Sequence, residues 1–115
     1  MTTSNNVRRV SPAQGRRQDL YSGLIRIHIL FHACEGPIFG LGMIEELGRH
    51  GYRISPGTLY PMLRSLENKG LLRSRKVRVG QWTRWEYRAT AEGHKALRVA
   101  KRRVQELFGE IFEQK

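Results

Sequence analysis

The residues best suited to chemistry lie in one short segment, positions 55–69. It carries small, polar or basic side chains and no carboxylate on one face, namely Ser55, Gly57, Thr58, Tyr60, Pro61, Arg64, Ser65 and Asn68. Tyrosine, serine and asparagine side chains can hydrogen-bond base edges, and an arginine can bind guanine or phosphate. Thr58 and the free amides at a helix start suit phosphate. The segment therefore predicts a surface that binds double-stranded DNA.

The same segment has the signals of a helix. Ser55 is a candidate cap and Pro56 suits the first helical position, while Gly70 follows the last turn. A buried stripe is predicted at three- and four-residue steps, formed by Leu59, Met62, Leu63 and Leu66. Pro61 breaks the helical rule, because proline removes a backbone hydrogen bond. It either shapes the start of a DNA-reading helix or is a tolerated kink near the first turn, and the exposure expected for Tyr60 and Arg64 favours the first.

A basic hairpin is predicted directly after this helix. Residues 71–79 and 82–89 alternate like strands and are joined by Gly80 and Gln81. Arg78, Gln81 and Arg84 are expected near the tip, where they would contact the DNA backbone or the adjacent minor groove. A helix followed by a basic hairpin predicts a winged helix-turn-helix.

Two further helices are predicted before the segment. Residues 19–35 place an apolar stripe on one face, made of Leu20, Leu24, Ile27, Phe31 and Cys34 and widened by Tyr21, Ile25 and Ile29. Because this helix is apolar nearly all round, more than one element is expected to pack on it. Residues 40–50 have Leu41, Ile44 and Leu47 as the expected buried face, with Glu45 and Glu46 outward. The short glycine-containing turn after this helix completes a helix-turn-helix signal.

The C-terminal part, 91–115, reads as one long helix that begins after a Thr90 cap. Its apolar residues step by three and four, which is a heptad seam, formed by Leu97, Ala100, Val104, Leu107 and Ile111 with Phe108 beside it. Such a helix can fold back on its own domain, but its charged outer face favours a partner subunit. We expect it to dimerise with the helix that carries Leu20, Leu24, Ile27 and Phe31.

Composition narrows the function classes. The 115 residues carry 21 Lys and Arg against 10 Asp and Glu, a net charge of +11. This excess favours a polyanionic partner over a merely solvated basic surface. Residues 1–18 are predicted to be a disordered basic arm, either wrapping DNA or untethered, and residues 19–90 the DNA-binding domain. The single cysteine excludes an internal disulfide, and no apolar run approaches a membrane span, so a cytoplasmic protein is expected.

Other candidate chemistry is weaker. His28 and His32 share a helix face as zinc ligands can, but no third ligand has a matching spacing, so no metal site is predicted. Trp82 and Trp85 suit a planar ligand less well than core or interface packing. Cys34 on an apolar stripe is expected to be an inert thiol. No catalytic constellation or cofactor motif is present in the sequence, so we expect neither an enzyme nor a cofactor.

The segment 40–93 resembles the PadR family of transcriptional regulators. The resemblance is carried by the string Ser55-Pro56-Gly57-Thr58-Leu59-Tyr60-Pro61-Met62-Leu63, by Gly70-Leu71-Leu72 and by Thr90-Ala91-Glu92-Gly93. It is similar to the subfamily with a single C-terminal helix. The resemblance implies a mainly α-helical fold with a small β-hairpin, in which the helix from Ser55 enters the major groove. The chain departs from a frequent Arg-Lys-Tyr-Tyr wing motif by having Arg84-Trp85-Glu86-Tyr87.

Two functions follow as hypotheses. The first is a sequence-specific DNA-binding repressor that acts as a homodimer on a pseudo-palindromic operator. It would respond to a small hydrophobic or aromatic effector, whose binding residues the sequence does not identify. The alternative is a winged-helix module for protein interaction or small-molecule sensing, with only weak, non-specific DNA affinity.

Overall fold

The computed structural model describes residues 12–113, with side chains from residue 19 onward. Its elements are α1 (Pro12–Glu35), β1 (Ile38–Phe39), α2 (Gly40–Arg49), α3 (Pro56–Asn68), β2 (Leu72–Val79), β3 (Trp82–Ala89) and α4 (Ala91–Phe108), followed by a π-helical turn over Gly109–Glu113. The predicted fold class, mainly α-helical with a winged helix-turn-helix and a long C-terminal helix, is confirmed.

The first helix is longer than predicted. It begins at Pro12, seven residues before the predicted start at Asp19, so the predicted disordered arm is wrong for residues 12–18. Proline is favoured at a first helical position, and the alanine, glutamine and arginine residues that follow have good helix propensity. They extend a helix whose later turns are stabilised by packing. The segment has almost no apolar residues, so no hydrophobic periodicity indicated this helical start. The rest of the predicted arm, residues 1–11, lies outside the described residues.

The sheet has three antiparallel strands in the order β1-β3-β2, one more than the predicted hairpin. The hairpin itself is confirmed: Val79 pairs with Trp82 across the turn, and Leu72 pairs with Ala89 at the open end. The unpredicted strand β1 is only two residues long, with Ile38 opposite Tyr87 and Phe39 opposite Glu86. A strand this short has too few residues for an alternating pattern to be recognised.

The core collects one face of every helix against the inner face of the sheet. α3 contributes the predicted stripe, since Leu59, Met62, Leu63 and Leu66 are all buried. In α2 the prediction was partly wrong, because Leu41 is 70% exposed and Met43 is buried in its place beside Leu47. The buried face of α2 therefore runs through Gly40, Met43 and Leu47, and Leu41 lies outside it.

The predicted apolar stripe of α1 is mostly not the face that packs inside this chain. The buried residues of α1 are Ile25, Ile29, Leu30 and Ala33. In the predicted stripe, Leu20 is 72% exposed and Leu24 is 41% exposed, while Phe31 is 38% exposed. Two neighbouring apolar faces therefore share α1, and only one of them is covered by the elements of its own chain.

The helix α4 begins at the predicted cap, where the Thr90 Oγ1 accepts a hydrogen bond from the Gly93 amide at 3.0 Å. Leu97 is buried in the core of its own chain, which corrects its assignment to a partner interface. Beyond it the seam lies open, with Val104, Leu107 and Ile111 between 41% and 52% exposed. None of the helices within residues 12–113 has the length and apolar character needed to cross a membrane.

Candidate nucleic-acid interface

Helix α3 presents a polar row on the side opposite its buried stripe. Ser55, Gly57, Pro61, Arg64 and Asn68 are exposed, and Thr58 and Ser65 are partly exposed. Ser55 occupies the predicted cap position, but its side chain makes no capping hydrogen bond. Pro56 has no amide hydrogen, and the Thr58 amide donates to the Ser55 carbonyl at 3.0 Å, which leaves the Gly57 amide as the first-turn donor that can bind an anion.

Tyr60 is the exception in this row. It is half-buried and packs against the core, so its predicted exposure is wrong. Its ring covers Gly40 at the start of α2 so closely that a Cβ atom at position 40 would overlap the Tyr60 hydroxyl. Tyr60 thus packs α3 against α2. The sequence did not indicate this contact, because Gly40 lies 20 residues away from Tyr60. A contact between its hydroxyl and a base stays a prediction.

Pro61 lies inside α3 on its exposed side. Because proline has no N–H, the carbonyl of Gly57 four residues earlier cannot receive the usual helical hydrogen bond. The helix nevertheless continues without interruption to Asn68. Pro61 borders a shallow pocket with Arg64, Ser65, Asn68 and Lys69. Three of the predicted base-reading side chains, those of Arg64, Ser65 and Asn68, therefore surround one concave spot, and Lys69 lies beside them.

The Glu67 carboxylate links α3 to the hairpin. The Glu67 Oε2 atom accepts hydrogen bonds from the Ser74 hydroxyl at 2.7 Å and from the Ser74 amide at 3.2 Å. Glu67 is thereby directed toward β2 and away from the polar row of α3. The contact fixes the base of the hairpin relative to the helix and leaves that row without negative charge.

The three predicted hairpin residues are all exposed, but they differ in how they are held. The Arg78 Nε donates to the Gly80 carbonyl at 3.2 Å, which places this guanidinium at the turn. The Arg84 guanidinium lies 3.7 Å from the centre of the Phe39 ring, a cation–π contact. Phe39 was missed as a site residue because β1 was missed. Arg84 lies opposite Val77, the third pair from the turn, and is held over Phe39, while Gln81 occupies the turn with Gly80.

The outer face of the sheet carries a second set of arginines around one acid. Glu86 is buried, and its Oε1 accepts from the Nε of Arg75 at 2.8 Å and from the Nε of Arg88 at 3.2 Å. The hydrogen bond from Arg75, with that from Arg88, holds the pKa of the Glu86 carboxyl below its usual range against the opposing effect of burial. This cluster occupies the position where the chain departs from the Arg-Lys-Tyr-Tyr motif. The Glu86 carboxylate offsets part of the positive charge of the hairpin and links β2 to β3 through Arg75.

An apolar groove runs between α1 and α4. It has a volume of about 720 Å³ and its walls include Leu24, Ile27, Phe31, Val104 and Phe108. This groove combines side chains from both halves of the predicted dimer interface. Burial raises the pKa of the nearby Cys34 thiol, which agrees with an inert cysteine.

Two histidines, His32 and His50, contact the Glu46 carboxylate at the end of this groove, and His28 stacks on His50. The Glu46 Oε2 lies 3.0 Å from the His50 Nε2 and 3.4 Å from the His32 Nε2, so Glu46 does not simply point outward as predicted. The hydrogen bond with His50 is the largest cause that lowers the Glu46 pKa. His28 stacks on His50 with ring centres 4.9 Å apart, and burial followed by the His50 and His32 charges lowers its pKa. In residues 12–113 no group of three His, Cys, Asp or Glu side chains is arranged to hold a metal ion.

A recognition helix packed on a second helix and followed by a β-hairpin defines the winged helix-turn-helix class. Comparison with known proteins gives the family. The model of the "Transcriptional regulator PadR-like family" matches residues 29–99. The chain is 47% identical over 87 residues to "Transcriptional regulator Rv3488" of Mycobacterium tuberculosis, covering 76% of this chain and 81% of that protein.

Solved structures agree with this. A PadR family transcriptional regulator from Eggerthella lenta is 31% identical, with a TM-score of 0.73, over 90% of this chain and 94% of that one. A transcriptional regulator from Clostridium thermocellum is 26% identical, with a TM-score of 0.70, over 84% of this chain and 96% of that one. The protein belongs to the PadR-like family of transcriptional regulators. This family is a class of regulators rather than of enzymes.

Proposed function

We propose that this protein is a sequence-specific regulator that binds double-stranded DNA as a homodimer and represses transcription. The observation that carries the proposal is the outward row of α3, which has no carboxylate and gathers Arg64, Ser65 and Asn68 around one concave surface. In the major groove these side chains reach base edges, where an arginine distinguishes guanine and an asparagine distinguishes adenine. The Thr58 hydroxyl and the Gly57 amide at the start of α3 bind a phosphate.

The hairpin supplies the positioning contacts. Arg78 and Gln81 at the turn and Arg84 above Phe39 are exposed along one hairpin that Glu67 joins to α3. Contacts to phosphates orient a protein on DNA without reading its sequence. Each phosphate contact adds about 0.9 to the slope of log affinity against log salt. The affinity of the whole interface therefore falls steeply as the salt concentration rises.

Homodimer formation is supported by the apolar surface that one chain leaves uncovered. Leu20, Leu24 and Phe31 of α1 are exposed, and so are Val104 and Leu107 of α4. Adjoining exposed apolar patches mark interaction surfaces. A two-fold dimer places two recognition helices about 34 Å apart, one turn of DNA, so the operator has two half-sites in pseudo-palindromic order. A regulator of this kind must reach the chromosomal DNA, so the proposal includes a cytoplasmic location.

The groove between α1 and α4 supports control by a small molecule. The groove has a volume of about 720 Å³ in the single chain and largely apolar walls, and it lies at the proposed dimer interface, so a planar hydrophobic ligand would bind there between the two subunits. A ligand changes DNA binding only if it favours one of two arrangements of the dimer. In a panel of aromatic compounds, binders are expected to shift operator affinity, and the variant Phe31→Ala is expected to weaken their binding. If no compound changes operator affinity, the effector part of the proposal is wrong.

Selection of bound sequences from a random DNA pool tests the central proposal. The expected result is one enriched pseudo-palindrome. Arg64→Ala and Asn68→Ala are expected to reduce the preference for that site by about 1–3 kcal/mol each, whereas Arg78→Ala weakens all sequences alike and flattens the salt dependence. Arg98→Ala is the matched control, because Arg98 is an exposed arginine of α4 away from both elements.

The weak-binding alternative predicts a different outcome of the same selection. A module for protein interaction or ligand sensing would enrich no sequence, and its DNA binding would disappear with excess random DNA. A reporter gene behind the selected site then gives the sign of regulation. Lower expression with the protein than without it is expected for a repressor.

A further inference from the structure

The outermost residue pair of the hairpin is apolar. Residues that pair across the strands share a face, so Val77, Val79 and Trp82 lie together on one side, with Arg84 opposite Val77. Lys76 and Arg78 lie on the other side with Trp85. Trp82 is 79% exposed and its partner Val79 is 44% exposed. The outermost part of one face is thus an apolar edge.

The apolar edge is held in a fixed shape. Val79 and Trp82 are the last pair before a two-residue turn in which Gly80 has φ 62°, and the Arg78 Nε bonds back to the Gly80 carbonyl at 3.2 Å. Trp85, by contrast, is covered on one side by the Lys76 ammonium, 5.6 Å from its ring centre. Trp82 therefore projects from the tip of the hairpin, and among the ring contacts of residues 19–113 it has none within its own chain.

The charges around the tip favour a polyanion as its occupant. Residues 73–88 contain six Lys or Arg and one acid, Glu86, which is already bound to two of those arginines. An apolar side chain surrounded by positive charge suits DNA, whose minor groove exposes base steps between two rows of phosphates. Apolar wedges that enter this groove partly unstack a base step and bend the duplex.

We infer that Trp82, supported by Val79, is such a wedge: it enters the minor groove beside the half-site read by α3 and stacks on a base. The inference rests on the proposed DNA-binding function. It adds a contact that depends on base stacking rather than on charge. Operator sites are then expected to contain a flexible pyrimidine–purine step at the wedge position, since these steps unstack most easily.

Tryptophan fluorescence tests the contact directly in the full-length protein. Trp85→Phe leaves Trp82 as the only tryptophan, and Trp82→Phe leaves only Trp85. A 40-base-pair duplex of mixed sequence is added at low salt, and the anisotropy of a dye on the DNA measures binding separately. We expect DNA to quench the emission of Trp82 strongly and that of Trp85 little.

Affinity measurements separate stacking from charge. Trp82→Ala is expected to weaken binding about ten-fold or more with an unchanged salt slope, since stacking of one base on an aromatic side chain has an effect of this order. Trp85→Ala is the matched control and should lower affinity much less. Trp82→Phe keeps an aromatic wedge and should retain most of the affinity. Arg78→Ala should instead lower the salt slope.

The outcomes distinguish this inference from the function on which it rests. If anisotropy reports binding while the Trp82 emission is unchanged, the wedge is wrong and the DNA-binding function stands. The same conclusion follows if Trp82→Ala binds as tightly as the wild type. If no duplex binds at low salt, both the DNA-binding function and the wedge are wrong.

Discussion

Leu107→Asp tests the proposed dimer at the middle of the α4 seam. Leu107 is 49% exposed in the single chain, so about half of its side chain is left for a partner to cover. Complete burial of a leucine side chain stabilises the buried state by about 1.5–3 kcal/mol. If the partner covers the exposed half of Leu107, this contact contributes about 1 kcal/mol per subunit, or about 2 kcal/mol per dimer, to the free energy of dimerisation. Leu107→Ala should therefore weaken the dimer about thirty-fold.

Aspartate at this position has a much larger effect on the dimer. A carboxylate buried in the apolar seam without a partner adds a desolvation cost of several kcal/mol on each side of the two-fold axis. In the separate chain the same aspartate remains half in water, so the fold should survive. We expect Leu107→Asp to be monomeric at micromolar concentration, with a helical circular dichroism spectrum like that of the wild type.

Sedimentation by analytical ultracentrifugation measures the result. Val99→Asp is the matched control, because Val99 is 45% exposed on the same helix but lies outside the seam, and it should leave the dimer intact. A wild-type protein that is monomeric at micromolar concentration would refute the proposed dimer. So would a Leu107→Asp variant that sediments with the wild type.

Three further predictions concern packing and pH. Gly40→Ala should destabilise the fold by about 1–3 kcal/mol in urea unfolding, because the new Cβ overlaps Tyr60. When Gly40→Ala is combined with Tyr60→Ala, the two losses of unfolding free energy should be clearly less than additive. Simple additivity would contradict this packing. Thr90→Ala should lower the free energy of unfolding by about 1–2 kcal/mol, because Thr90 caps α4 and also donates a hydrogen bond to the Gly70 carbonyl. An unchanged urea midpoint would exclude a stabilising role for these two contacts. Burial lowers the pKa of His28 below 6.5, so the folded protein binds fewer protons than the unfolded chain and loses stability as the pH falls through that range. His28→Gln should therefore reduce the loss of unfolding free energy between about pH 7.5 and pH 5.5, and an equal loss in both proteins would argue against this assignment.

Sequence alone determined the elements whose signals are local. The buried stripe of α3, the Thr90 cap and the turn at Gly80 each depend on residues a few positions apart, and the structure has them where they were predicted. The family was also fixed locally, because the string from Ser55 to Met62 is contiguous. Helix boundaries were less certain, as the early start of α1 at Pro12 shows, because propensity without apolar periodicity gives only a weak signal.

Tertiary structure decided which of two faces an element buries and which distant residues meet. Tyr60 lies on the polar side of its helix by sequence, yet its ring packs on Gly40, since only the crossing of α2 and α3 brings the two together. Arg84 stacks on Phe39 because β1 pairs with β3, and no local pattern encodes a two-residue strand. The apolar faces of α1 illustrate the same limit. Periodicity identifies which residues are apolar, but the packing of the other elements determines that Ile25 and Ile29 are buried and that Leu20 and Leu24 stay exposed.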